Sequence, residues 1–174
     1  MFVKGSFVQT KSDGTRKPVE LLRAGDTVFD PISWQSTRVV RVLSRAIALS
    51  RSEKWRGGEL FPVEFEVGDL GPGLPDRRML VSPQQPIVGR VDVTPKGRQL
   101  VCRRAADITN RRATKEGTVT YYAIFLADNR PFIVDGLTCM GLTDAELAST
   151  DEIEANQGCE VSFSAATAEL GWKC

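Results

Sequence analysis

The sequence contains no histidine. That absence removes the side chain that most often moves protons near neutral pH and the commonest nitrogen ligand for transition metals. Cysteine is scarce: Cys102, Cys139, Cys159 and Cys174 lie far apart, with no Cys-x-x-Cys pair. Such spacing offers no tetrahedral zinc set, so no metal and no other cofactor is expected, and free thiols are favoured over a disulfide framework. Long apolar runs are missing as well. No stretch approaches the roughly 18 to 20 residues of a membrane span, and Met1-Phe2-Val3-Lys4-Gly5-Ser6 has no signal-peptide hydrophobic region. Membrane insertion is therefore not expected, and a cytoplasmic setting is favoured over secretion. Neither charge sign dominates: 23 Lys and Arg face 22 Asp and Glu, a formal net charge of +1. This balance gives no far field that would gather nucleic acid, and no nucleic-acid partner is expected.

What is present fits one compact domain with a tail. The 174 residues are 41% apolar and 26% charged, enough to bury a core without staples. The charge, however, is unevenly placed. Residues 1–142 hold 22 basic and 15 acidic residues, or +7, whereas 143–174 hold one Lys and seven acids, or −6. We divide the chain into a β domain over 1–142 and an acidic C-terminal extension over 143–174.

Within the domain the pattern is that of short strands separated by turn residues. Ser6–Thr10 is followed by Ser12-Asp13-Gly14, a hairpin signal, then by Val19–Leu22 as a further β unit and by Thr27–Phe29, closed by Asp30-Pro31. Ser36–Leu49 reads as a long, bent strand. Phe61, Val63, Phe65 and Val67 recur with a period of two, which predicts a strand with all four on one face. Gly71-Pro72-Gly73-Leu74-Pro75-Asp76 is a rigid loop. Met79–Ser82 and Pro86–Gly89 are two more apolar runs, and Val119–Leu126 with Pro131–Val134 reads as a hairpin around Asp128-Asn129-Arg130. Helix is expected only at Arg103–Ile108 and at Thr143–Ala148, where Thr143 and Glu146 have capping-box spacing.

Several segments, in order, resemble a bacterial subgroup of the Hint (hedgehog/intein) family. They are Phe2-Val3-Lys4-Gly5-Ser6, the run Val19 to Val28, Gly71-Pro72-Gly73-Leu74-Pro75, Leu80-Val81-Ser82-Pro83-Gln84, Thr120-Tyr121-Tyr122 and Asp135-Gly136-Leu137. The resemblance covers roughly residues 2–142 and implies an all-β, horseshoe-like domain with minor short helices. Active members use a first-position Cys for an N-to-S acyl shift and a His to protonate the scissile amide. By resemblance the Cys position falls on Met1, the Ser/Thr-x-x-His block on Ser82-Pro83-Gln84-Gln85, and a second His on Ala123. A thioether has no proton to lose, and a carboxamide cannot exchange protons near neutral pH. Met1, Ser82, Gln85 and Ala123 are thus read as vestigial positions, with no catalytic residue. With Met1 as the start, no upstream segment is expected for cleavage. Gly171-Trp172-Lys173-Cys174 also lacks the His-Asn pair of splicing inteins.

Other residues offer sharper and blander readings. Ser82 before Pro83 is read as a turn hydroxyl rather than a nucleophile. Arg103, Arg104, Arg111 and Arg112 form a basic face, either solvated or a partner for acidic protein surface, the chain's own tail included. Trp34, Trp55 and Trp172 sit in loop-like contexts where rings often cover core edges. Trp55, Phe163, Leu170 and Trp172 are the expected partner-binding anchors. The functional expectation is a catalytically inactive, structural or protein-binding module within a larger assembly, such as a bacteriophage or phage-like tail or capsid. The alternative is a self-cleaving Hint domain whose Cys and His residues have been replaced.

Overall fold

A computed structural model describes residues 1–49, 60–94, 97–113, 117–128 and 130–143. Thirteen strands are seen among them: β1 (Phe2–Val3), β2 (Phe7–Gln9), β3 (Arg16–Pro18), β4 (Thr27–Asp30), β5 (Gln35–Leu49), β6 (Val63–Phe65), β7 (Met79–Val81), β8 (Pro86–Thr94), β9 (Gly97–Arg104), β10 (Gly117–Leu126), β11 (Pro131–Val134), β12 (Leu137–Met140) and β13 (Leu142–Thr143). Among the described residues helix is limited to one turn, α1 (Ala105–Ile108), and a 3-10 turn over Val19–Leu21. The class is all-β.

The strands form two sheets. One has the order β4-β5-β10-β1-β7-β6 with β13 alongside β10, and the other the order β3-β2-β11-β12-β8-β9. The chain changes sheet between β1 and β2, at Lys4-Gly5-Ser6, where Gly5 takes a φ of +92° that costs a residue without a Cβ little. Between the sheets lies a core of Phe2, Val8, Val28, Val39, Phe65, Ile124, Phe132 and their neighbours. Phe2 of the first sheet meets Phe132 of the second edge to face, 5.6 Å between ring centres. Burying such side chains stabilises the fold by about 1.5–3 kcal/mol each before the entropy of ordering is subtracted. β1 is short, yet its two residues are buried in mid-sheet, with β10 on one side and β7 on the other. This carries Met1 in between β7 and β10.

The structure departs from the sequence reading at five places. Val19–Leu22 is not a strand: Pro18 ends β3 and the chain turns through a 3-10 helix, because Leu22 N donates back to Val19 O at 3.2 Å. Phe61, Val63 and Phe65 are buried, but Val67 is 59% exposed, since the strand stops at Phe65 and Glu66 to Leu70 fold into turns. The runs Val119–Leu126 and Pro131–Val134 do not pair with each other. β10 pairs with β5, β1 and β13, while β11 crosses to the other sheet and pairs with β12 and β2. Arg103 and Arg104 belong to β9 rather than to a helix, and Thr143 lies in β13 rather than at a helix N-cap. The rest of the expected second helix, 144–148, lies outside the described residues.

Candidate functional site

β1 carries the first residue into the core between β7 and β10. Phe2 is opposite Val81 and Tyr122, so the antiparallel register continued by one residue sets Met1 between Ser82 and Ala123. Ser82 N donates to Met1 O at 2.9 Å, which fixes one side of this arrangement. The loop after β7 then folds under the Met1 nitrogen. Gln85 N donates to Ser82 O at 2.9 Å, and the Ser82 hydroxyl accepts a long bond from Gln84 N at 3.4 Å. The start of α1 ties this loop down: Ala105 N donates to Gln85 O and Ala106 N to Pro83 O.

The outcome is a direct hydrogen bond from the Met1 nitrogen to Gln85 Oε1. On its other end the same carboxamide donates through Nε2 to Pro86 O and to Met140 O, each at 2.9 Å. Gln85 is buried, so its orientation is fixed by acceptors on one end and a donor on the other. Met1, Ser82, Gln85 and Ala123, taken from three separate stretches of sequence, therefore meet at one point. The sequence reading did not include the Met140 carbonyl or the buried Cys139 thiol, whose burial pushes its titration far above the usual thiol range. The inward period of β12, with Leu137 and Cys139 on one side, was the available signal. Burial lowers the Met1 amine to about 5, and the Cys139 thiol opposes that fall.

A second buried polar centre lies at the β11–β12 turn. Asp135 has a left-handed φ of 48° and is followed by Gly136 at 84°. Its carboxylate accepts from Phe7 N at 3.0 Å, and Arg77 Nε stands 3.7 Å away while its guanidinium covers the Phe7 ring at 4.5 Å. Burial raises the Asp135 carboxyl to about 6, and the Phe7 bond and Arg77 oppose that rise. Asp76 N donates to Asp135 O, and the Asp76 carboxylate pairs with Arg16. The rigid loop before β7 is thereby fastened to β2 and β3.

The four arginines of the expected basic face all have internal oxygen partners. Arg104 makes two bonds to Asp107 at 2.9 Å, Arg103 donates to Asp107 O, Arg111 pairs with Asp69 at 2.8 Å and Arg112 donates to Thr109 O. Trp34 is 74% exposed and stands edge-on to the buried Phe29. Trp55, Phe163, Leu170 and Trp172 lie outside the described residues. Neither Cys102 nor Cys139 is in a disulfide, and the described residues hold no cluster of metal-ligating side chains.

The family model of the Hint domain matches residues 1–146. The chain belongs to the Hint domain family. Among solved structures it is similar to the crystal structure of the MchDnaB-1 intein, at 11% identity over 80% of this chain and 98% of that one, with a TM-score of 0.47. It is also similar to the bacterial intein-like domain from Clostridium thermocellum in solution, at 14% identity over 80% and 96%, TM-score 0.41. A third is a DnaB intein from Synechocystis sp. PCC 6803, at 11% identity over 80% and 96%, TM-score 0.45. No curated protein sequence matches the chain. In this Hint domain the first position is Met1, and the residue in hydrogen-bond contact with its nitrogen is Gln85. The site gathers a thioether, a hydroxyl, a carboxamide and a methyl group. Beside them stands the Met1 amine, and none of the four side chains is a thiol or an imidazole.

Proposed function

We propose that this Hint domain does not cleave peptide bonds and serves as a structural or protein-binding module. The observation that carries this reading is the Gln85 carboxamide on the Met1 nitrogen. It fills the place of a proton donor with a group that only holds position. The absence of histidine from the sequence extends the argument, since no distant imidazole can substitute. A fold whose core does not depend on its site residues can outlast the chemistry. The body then acts as a rigid β scaffold. Trp55, Phe163, Leu170 and Trp172 are the anchors for protein partners, because aromatic and large apolar groups among polar neighbours dominate binding energy. We place the module in a larger assembly, a bacteriophage or phage-like tail or capsid, on the analogy of small β domains that join or decorate such particles.

Incubation of the purified chain with dithiothreitol or hydroxylamine, followed by intact mass, tests the first half. The full mass is expected throughout, and nucleophile-dependent fragments would overturn the reading. Removal of residues 144–174 tests the second half: assembly is lost with the melting temperature unchanged if docking is the role. A large fall in melting temperature with assembly retained would contradict it.

A second reading is favoured by the wholeness of the site. Met1, Ser82, Gln85 and Ala123 still converge, as they would in a self-cleaving domain whose Cys and His residues had been replaced.

A further inference from the structure

Phe7 of β2 and Asp135 of the β11–β12 turn hold each other by two bonds. Asp135 N donates to Phe7 O and Phe7 N donates to Asp135 Oδ1, each at 3.0 Å. Arg77 closes over both residues. Its Nε stands 3.7 Å from the same carboxylate oxygen, and its guanidinium lies on the Phe7 ring, 4.5 Å from the centre. The Arg77 side chain is 48% exposed whereas that of Asp135 is 2% exposed, so the arginine lies on the solvent side of the pair.

The other ionisable groups that face Asp135 are engaged elsewhere or neutral. From the loop before β7, the Asp76 carboxylate takes two bonds from Arg16 of β3, and Asp76 N donates to Asp135 O. From β12, the buried Cys139 thiol titrates far above the usual thiol range and carries no charge near neutral pH. β2 contributes the Phe7 amide and ring. Among the described residues Arg77 is therefore the cation whose place depends most directly on the charge of Asp135. That charge changes in an accessible range, because burial raises the carboxyl to about 6 against the Phe7 bond and Arg77.

We propose that Arg77 is a pH-operated cover, which lies over Phe7 and Asp135 while the carboxylate is ionised and swings into solvent when it is protonated, baring the Phe7 ring. A guanidinium keeps its charge throughout, so only the carboxylate changes. A cation–π contact at an exposed site is worth less than the rotamer freedom an arginine gives up on being fixed. The ring alone does not hold the side chain, and the charge of a poorly solvated carboxylate supplies the difference. With the proton on Oδ2, Oδ1 still accepts from Phe7 N, and the backbone bond from Asp76 N is indifferent to the change. The cover opens while β2 and the β11–β12 turn stay in place. The device belongs to the isolated domain and goes beyond the docking role proposed above.

NMR of the full chain, titrated from pH 8 to pH 4.5, is the test. Protons of the Arg77 side chain over the Phe7 ring are shifted upfield by its ring current. That displacement is expected at pH 7.5 and is expected to fall by at least half by pH 4.5, with the same midpoint as the Asp135 carboxyl carbon. In Asp135→Asn the displacement is expected to be small at both pH values, with the Phe2–Phe132 ring contact retained as the folding control. A displacement that stays constant while the Asp135 carboxyl titrates would overturn the proposal, as would one of full size in Asp135→Asn. If that variant does not fold, the wild-type titration decides alone.

Discussion

The Met1 nitrogen is hydrogen-bonded to the side-chain oxygen of Gln85, 84 residues further along the chain. Two further bonds from the same carboxamide reach the carbonyls of Pro86 and Met140. A residue at the expected acid position thus joins β1 of one sheet to the end of β12 of the other, and its present chemistry is that of a brace.

Gln85→Leu removes three bonds at once and takes a partner from two carbonyls and one nitrogen. Each such group costs about 1–3 kcal/mol, partly recovered by relaxation. Urea unfolding is expected to show a loss of about 2–4 kcal/mol. Gln85→His, which keeps one acceptor and one donor, is expected to lose less. Equal losses would contradict this accounting of the bonds.

Asp135 gives the protein a defined acid-side pH dependence. An unfolded Asp titrates near 3.9, and burial raises the folded group to about 6. Between these values the folded chain holds more proton than the unfolded one. The contribution is therefore fully present below about pH 4 and is lost as pH rises through 6. Asp135→Asn retains an acceptor for Phe7 N and suits the left-handed backbone. It is expected to raise stability by about 1–3 kcal/mol at pH 7.5 and to leave it nearly unchanged at pH 4. A variant less stable than wild type at pH 7.5 would show that the Arg77 contact outweighs the burial of charge.

Gly136 has a φ of 84°, and a Cβ there would stand 3.0 Å from the Asp76 carboxyl carbon and backbone nitrogen. Gly136→Ala is expected to cost about 1–3 kcal/mol through backbone strain and displacement of the Asp76 segment. Thermal unfolding reads this directly. A neutral substitution would mean that the segment before β7 yields easily.

Much of the fold was legible because local chemistry and tertiary context agreed. The Asp13-Gly14 turn, the length of β5 and the Gly71 to Asp76 loop follow from turn residues and alternation. What was missed depended on distant pairing. β10 and β11 are adjacent in sequence and read as a hairpin, but they belong to different sheets, and no local signal distinguishes the two. Val67 continued a period of two that Asp69 ended by accepting from Glu66 N. For the site, the resemblance pointed to Met1, Ser82, Gln85 and Ala123, and the Met140 carbonyl beside them lay beyond a linear reading. Met140 contributes only a carbonyl, and a carbonyl has no sequence signature.

The central claim is that peptide-bond chemistry is absent because of the residues at Met1, Gln85 and Ala123, in a fold otherwise able to hold the site. The direct measurement is a fusion with a ten-residue peptide ahead of Met1, followed by intact mass during incubation with dithiothreitol. It is made in parallel on the unaltered domain and on a variant carrying Met1→Cys, Gln85→His and Ala123→His. The account predicts no release of the peptide from the unaltered domain and thiol-dependent release from the triple variant. Thiol-dependent release from the unaltered domain would contradict it.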